Sequence, residues 1–372
     1  MGRASRRRGR ARARPPSVLR ARRGGARRPA GARRDVRPEQ PAVRARRRRP
    51  RLRRRSHPAQ RARLPRHRGV RDRLPAGRQA GDARLVRAAR AGGAIGVIGR
   101  FADASERETG RELRALARHV VVACGALLTP PLLERSAVPD PSGRRGQNLH
   151  IHPATRVGAL FDDEVRGWEE VPQAYNVHHF TREGIFIQGQ FVLPALEAPV
   201  LPGVGAAHKA RMARYARLGS FGALISDETA GRVRAGRGRW PRVTYQLGPA
   251  DARKLSRAIG LTAEVFFAAG AREVYSGIHS QPVLQNVDEA RALQQAILPA
   301  ADFEMMAFHP QGTAHMGEDP RAAVTDSAGR VHGTPRLWVA DASLFPSSCK
   351  VNPQITIMAL ATRLAEHLAA EL

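Results

Sequence analysis

Apolar positions in this chain follow structural periods only from about Gly92 onward. Ala94-Ile95-Gly96-Val97-Ile98-Gly99-Arg100-Phe101 predicts a strand. It ends in a polar turn with Asp103, Ser105 and Gly110, and Arg111 to His119 is the return. Val120-Val121-Val122-Ala123-Cys124-Gly125-Ala126 is a continuous apolar run into a glycine turn, the pattern of a buried strand. Leu127 to Arg135 follows as a helix, with Pro130 and Pro131 early, where proline is tolerated. Further on, Gly184 to Leu193 and Trp240 to Tyr245 predict strands, and His208 to Leu218 predicts a helix. Ala250 to Ala269 is a longer helix whose Leu255, Ile259, Leu261, Val265 and Phe266 form an apolar stripe. A last helix runs roughly from Ile355 to Leu368, with Ile357, Leu360, Ala361, Leu364 and Leu368 on one side.

Charge sharpens the division. The 372 residues carry a formal net charge of +32. Residues 1–100 hold 35 Arg, no Lys and four acidic residues, so nearly the whole excess lies there. Residues 1–90 lack Lys, Asn, Ile, Thr, Cys, Phe, Tyr and Trp altogether. A segment so poor in large apolar side chains cannot offset its own conformational entropy by burial. Residues 1–91 are therefore expected to be disordered. They read either as a basic tail for polyanions or as GC-rich DNA translated out of frame. The missing aromatics argue against base-stacking recognition of single strands. Two cysteines, Cys124 and Cys349, give neither a disulfide framework nor a metal pattern. Cys124, in its apolar run, reads as a small buried hydrophobe. The start has no apolar signal region and no stretch approaches 18 apolar residues, so a cytoplasmic protein without a transmembrane segment is expected.

Three punctuated segments near the end carry the candidate chemistry. They are Phe308-His309-Pro310-Gln311-Gly312-Thr313-Ala314-His315-Met316-Gly317, then Leu337-Trp338-Val339-Ala340-Asp341-Ala342-Ser343-Leu344-Phe345-Pro346, then Val351-Asn352-Pro353-Gln354-Ile355-Thr356-Ile357-Met358. His309, Asp341 and Asn352 fall in turns around apolar strands and the closing helix. Upstream, Asn148-Leu149-His150-Ile151-His152-Pro153 places two histidines at i, i+2, which in a strand would share a face. No third ligand of suitable spacing is near, and the single pair Asp162 and Asp163 does not complete a site. These histidines therefore read as structural, and no metal is expected.

In their order and content the three segments resemble the C-terminal signature of the glucose–methanol–choline (GMC) family of FAD-dependent oxidoreductases. Gly125-Ala126-Leu127-Leu128-Thr129-Pro130-Pro131-Leu132-Leu133 is similar to a second motif of that family, and Asn148 to Thr155 to a third. The resemblance implies oxidation of an alcohol CH–OH group, with hydride passing to FAD. It implies that His309 acts on the substrate hydroxyl and that Asn352 occupies the partner position. Histidine suits the role because its unperturbed pKa of about 6.5 lies near working pH. Asparagine can hydrogen-bond the substrate oxygen but cannot take a full proton there, so His309 would be the sole titrating base. As cofactor neighbours the resemblance implies Ala123, Cys124 and Gly125 near the adenosine half, and Asp341 and Ala342 at the pyrophosphate and ribityl chain. Asn352, Pro353, Gln354 and Thr356 open the last helix, whose backbone N–H groups can stabilise charge developing on the reduced flavin.

That family begins with a βαβ unit carrying Gly-x-Gly-x-x-Gly, and this chain has no such run. The expected fold is accordingly α/β: a partial Rossmann-like FAD-binding domain over 92–150 and 302–372 lacking its N-terminal βαβ unit, and a mixed sheet-and-helix substrate domain over 151–301. Three functions are expected as alternatives: an FAD-dependent alcohol oxidoreductase, an inactive remnant of the family, or a nucleic-acid-binding protein acting through its basic start. Composition disfavours the last. The alcohol and the electron acceptor, oxygen or another, stay open.

Overall fold

The computed structural model describes residues 80–87, 93–103, 105, 108–169, 171–237 and 240–372, with side chains from Gly93 onward. The described residues all fall in one compact unit. The Arg-rich segment expected over 1–91 lies outside the described residues, except for one strand. In chain order the strands are β1 (Ala80–Arg87), β2 (Ala94–Ala102), β3 (Glu108–Leu116), β4 (Val120–Val122), β5 (Ala154–Leu160), β6 (Asn176–Val177) and β7 (Ile185–Gly189). They continue with β8 (Leu218–Ile225), β9 (Arg232–Ala235), β10 (Pro241–Thr244), β11 (Glu273–Tyr275), β12 (Val283–Leu284) and β13 (Leu337–Val339). The helices are α1 (Thr129–Arg135), α2 (Pro194–Glu197), α3 (Gly205–Met212), α4 (Pro249–Ala268), α5 (Val287–Gln295) and α6 (Gln354–Glu371).

Two lobes follow from these elements. In the larger, six strands pair in the order β12-β11-β5-β8-β7-β6. One face carries Val157, Ala159, Ile185, Ile187, Ala223, Ile225 and Val274, and α4 covers it with Leu255, Ala258, Ile259 and Phe266. Period 2 on the sheet meets period 3.6 on the helix, so both apolar stripes are buried at once. α5 packs against α4 and adds Ala290 and Leu293 to the same core, and Asn286 caps it by accepting from the N–H of Glu289 at 3.0 Å. Helices cover one face of this sheet, as the composition of the middle region predicts.

The smaller lobe is built on a parallel pair. β13 lies beside β4 in register, Leu337 opposite Val120 and Val339 opposite Val122. Val120, Val122, Leu133, Leu337, Val339 and Leu344 bury together beneath it. Trp338 is fully buried and stands against His119, its indole N–H 3.3 Å from the ring nitrogen. Next to this pair an antiparallel meander β1-β2-β3 joins through Ala94, whose N–H bonds the carbonyl of Pro335 at 3.0 Å.

Three expectations are revised. β1 lies within the Arg-rich stretch and pairs antiparallel with β2, Leu85 opposite Val97, so regular structure starts upstream of Gly92. Its Arg content conceals it, because only local composition was legible there. The helix expected over His208 to Leu218 ends at Met212, since Leu218 is the first residue of β8 and is drawn into the sheet. Cys124, expected to be buried, is exposed just past the end of β4. Among the described residues no helix is long and apolar enough to cross a membrane.

Candidate active site

Parallel strands send their carboxyl ends to the same side, and the turns that follow β4 and β13 meet there. The carboxylate of Asp341 ties them together. Its Oδ2 accepts from the N–H of Gly125 at 2.9 Å and the hydroxyl of Thr129 at 2.6 Å. Its Oδ1 accepts from the N–H of Ser343 at 2.8 Å and from that residue's hydroxyl. The side chain of Asp341 is thus turned inward and saturated. What its turn offers outward is backbone, together with Ala123 and Cys124, both exposed, and half-buried Gly125. Desolvation of the sulfur by its surroundings, then the Asp341 charge, push the Cys124 thiol above its ordinary pKa.

The segment after His309 runs alongside this turn. The N–H of Gly312 bonds the carbonyl of Ala342 at 2.9 Å, and the hydroxyl of Thr313 bonds the carbonyl of Ala126 at 2.7 Å. Gly312 has φ +87, and a Cβ there would lie 2.4 Å from the carbonyl oxygen of Asn148, so the turn requires glycine. Asn148 returns the contact: its amide donates to the carbonyl of Pro346 at 3.1 Å. These bonds carry His309 from the β13 end towards α6.

His309 and Asn352 come together as the sequence predicts. His309 Nε2 stands 3.4 Å from Asn352 Nδ2, and that amide also faces Gln188 Oε1 at 3.3 Å. Both line a groove of about 330 Å3 with Phe308, Pro353, Gln354 and Met358. The helix α6 opens into this groove, and its first turn has no side-chain cap. Pro353 is buried as its N-cap, whereas Gln354 and Thr356 are exposed. Uncapped N–H groups at the start of an 18-residue helix are an anion-favouring feature. The pKa of His309 is pushed down to about 4, first by desolvation and then by the neighbouring His152.

The predicted residues therefore fall into two groups. His309, Asn352, Pro353 and Gln354 share the groove. Ala123, Cys124, Gly125, Asp341 and Ala342 share the strand ends, linked to the groove through Gly312. Thr356 is the third residue of α6, within its first turn.

The two histidines expected to share a strand face do not. His150 points towards Asn148 Oδ1, 3.2 Å away, and towards Asp227 Oδ1 at 3.6 Å. His152 takes φ +52, which swings its ring to His309, Nδ1 to Nδ1 at 3.2 Å. Sequence reading did not identify two buried supports. Asp227 accepts from the N–H of Ile151 at 2.9 Å and from the hydroxyls of Ser348 at 2.7 Å and Tyr245 at 3.1 Å. Burial pushes its carboxyl up, but contacts from His150, Ser348 and Ile151 outweigh that and hold it below the usual range. Gln311, fully buried, accepts from the N–H of Cys349 at 3.0 Å and donates to the carbonyl of His309 at 3.2 Å. Together they fix the loop that holds Ser348 and Cys349. The position of Gln311 within the His-Pro-Gln-Gly turn was the available signal, and Asp227 had none.

A parallel pair with open strand ends, a covered antiparallel sheet and a histidine–asparagine groove define a two-lobed α/β protein with an open site between strand ends and helix start. The profile of the GMC oxidoreductase family matches residues 79–154 and 228–361. From residue 79 onward the chain belongs to the GMC oxidoreductase family. It is 39% identical over 283 residues to an uncharacterized GMC-type oxidoreductase of Mycobacterium tuberculosis, covering 76% of this chain and 44% of that protein. To an uncharacterized GMC-type oxidoreductase of Sinorhizobium fredii it is 35% identical, covering 74% of this chain and 54% of the other. The chain thus spans about half the length of these relatives. Among solved structures, formate oxidase of Aspergillus oryzae superposes with a TM-score of 0.58 at 17% identity, over 78% of this chain and 60% of that one. That likeness bears on the fold alone.

Proposed function

We propose that this chain carries the catalytic histidine–asparagine pair and part of the flavin-contacting surface of an FAD-dependent oxidoreductase acting on an alcohol CH–OH group. The observation that carries the reading is the groove in which His309 Nε2 and Asn352 Nδ2 stand 3.4 Å apart beside the uncapped start of α6. A hydroxyl oxygen seated between them accepts from the Asn352 amide and gives its proton to His309. Asn352 orients and His309 takes the proton, a contribution of roughly 10²–10⁴-fold for a positioned base. With its pKa down at about 4, His309 is unprotonated, and so able to accept, throughout the neutral range.

FAD, the cofactor that family membership implies, would supply the hydride acceptor. The residues present fit its reacting end. His309 and Asn352 face the groove, the first N–H groups of α6 open into it, and the exposed turn Ala123-Cys124-Gly125 lies at the strand ends. The chain has no Gly-x-Gly-x-x-Gly run to hold a pyrophosphate.

For the substrate we propose an alcohol with an apolar body. A cavity of about 420 Å3 lies on the larger lobe, lined by Phe161, Trp168, Phe191, Tyr215 and Phe221 among others. It also includes Gly189 and Gln190, the next residues along from Gln188, the partner of Asn352. A relative that is 28% identical, from Arabidopsis thaliana, is named a long-chain-alcohol oxidase, which agrees with an apolar body.

The test is reconstitution. The purified chain is incubated with FAD, freed of unbound cofactor and examined for the visible absorption of oxidised flavin, then offered long-chain and short-chain alcohols. Turnover that His309→Ala lowers at least about 10²-fold while flavin stays bound supports the reading. Unchanged turnover in that variant removes His309 from the role.

A further inference from the structure

His152 and His309 meet edge to edge, their rings 82° apart with centroids at 5.3 Å. Their Nδ1 atoms are 3.2 Å apart, a distance that accommodates one shared proton. Which ring carries it decides whether His309 offers a lone pair or an N–H at Nε2. The far end of His152 supplies the answer. Its Nε2 is hydrogen-bonded to the backbone carbonyl of Cys349. A carbonyl oxygen only accepts, so Nε2 of His152 bears the hydrogen. Desolvation is the main influence on this ring and lowers its pKa, which keeps it neutral. A neutral imidazole has one N–H, so Nδ1 of His152 is a bare acceptor. The proton between the rings then belongs to His309 Nδ1, and Nε2 of His309 is left unprotonated on the side of Asn352.

We infer that His152 is a positioning residue: through the carbonyl of Cys349 it locks His309 in the Nδ1–H tautomer and so presents Nε2 as the proton acceptor. The inference rests on the reading of His309 as the base, and it adds the device that sets that base. The surroundings support a built arrangement. Gln311 accepts from the N–H of Cys349 at 3.0 Å and Asp227 accepts from the hydroxyl of Ser348 at 2.7 Å, so the Cys349 loop and its carbonyl are fixed in place. The backbone of His152 adopts φ +52 directly before Pro153, a left-handed conformation that is strained for a non-glycine residue. Such strain persists where neighbours over-determine it. Here the N–H of Ile151 is tied to Asp227 at 2.9 Å, and both ring nitrogens of His152 are engaged. The titratable groups facing this ring besides His309 are Asp227, His150 and the Cys349 thiol, whose sulfur is 3.8 Å from Nε2.

The test reads tautomers directly and needs no bound flavin. The whole chain is labelled with 15N-histidine, and long-range proton–nitrogen correlations are recorded at neutral pH, with His309→Asn used to assign signals. His309 is expected with a protonated Nδ1 and a bare Nε2, and His152 with the reverse. Two variants separate tautomer control from folding. His152→Asn tolerates the left-handed backbone and keeps an acceptor near the Nδ1 position, so it preserves the His309 pattern. His152→Gly keeps the backbone freedom but removes the acceptor, so His309 shifts towards the Nε2–H form. A wild-type His309 protonated at Nε2, or a pattern unchanged in His152→Gly, overturns the inference. If the Gly variant does not fold, the wild-type pattern alone still decides. Absence of turnover with the expected tautomers intact would sink the oxidation reading and leave the tautomer lock standing.

Discussion

The two lobes treat similar apolar sequence in opposite ways. In the larger, the sheet face bearing Ile187, Ala223 and Val157 is closed by α4, and Leu255 and Ile259 are fully buried against it. In the smaller, Val121 of β4, Leu128 before α1, and Ile355 and Met358 of α6 are exposed, Ile355 by 75% and Met358 by 57%. Phe308, next to the proposed base, is 69% exposed. Phe308 and Met358 meet in the groove beside His309 and Asn352, an exposed apolar edge next to polar groups. The proposed chemistry sits against the uncovered side, while the covered side supplies rigidity. Stability and proton transfer should therefore separate by lobe when each is perturbed.

Truncating the closed lobe should cost most in stability. Leu255→Ala removes a fully buried side chain from the α4 interface and is expected to lower unfolding free energy by about 2–5 kcal/mol in urea denaturation. Asp341→Ala should come next, at about 3 kcal/mol, because it strands donors from Gly125, Thr129 and Ser343 where water is excluded. Its signature should be local: hydrogen exchange accelerates at Gly125 and Ser343 while amides of α4 keep their protection. Equal acceleration in both lobes would mean they unfold together and would break the contrast. Gly312→Ala should cost more than about 1 kcal/mol through its left-handed backbone and its approach to Asn148. Met358→Ser, on the open surface, should stay within about 0.5 kcal/mol in the same urea measurement, yet weaken retention of FAD.

Legibility in the sequence divides along the same line. Helices with a sustained apolar stripe, α4 and α6, were readable because period alone specifies them. The pairing of His309 with Asn352 was legible only through the family resemblance of the segments that carry them, since no local period links two positions 43 residues apart. The Asp341 turn was also readable, but not the inward direction of its side chain, which depends on Thr129, 212 positions away. His152 was misplaced on a face with His150 because alternation was assumed where the backbone turns left-handed. Only residues 154–160 of that region form the strand β5, and their uninterrupted burial, polar Thr155 and Arg156 included, has no period-2 trace. Arg156 is buried there because Glu197 of α2 pairs with it across the sheet. Long-range partners of this kind leave no local pattern.

The most diagnostic prediction concerns pH. His309 has a folded pKa of about 4 against about 6.5 for an unperturbed histidine. Between those values the unfolded chain binds a proton that the folded chain refuses, so this residue makes stability fall as pH drops from about 6.5 to about 4. His152, lowered mainly by burial, acts in the same direction. So does Asp227, a depressed carboxyl whose contribution is lost in acid. Glu197 and Glu304 are raised, chiefly by burial, and oppose the trend, since their folded forms hold protons longer as pH rises. A melting profile of the wild type alone would mix these signs. The difference between wild type and His309→Gln cancels the shared ones and isolates His309. That difference should favour the variant increasingly as pH falls below about 6.5 and level off near 4. A difference independent of pH would mean the open groove hydrates His309 fully and leaves its pKa at the ordinary value. The tautomer lock would then have to act on a solvated ring.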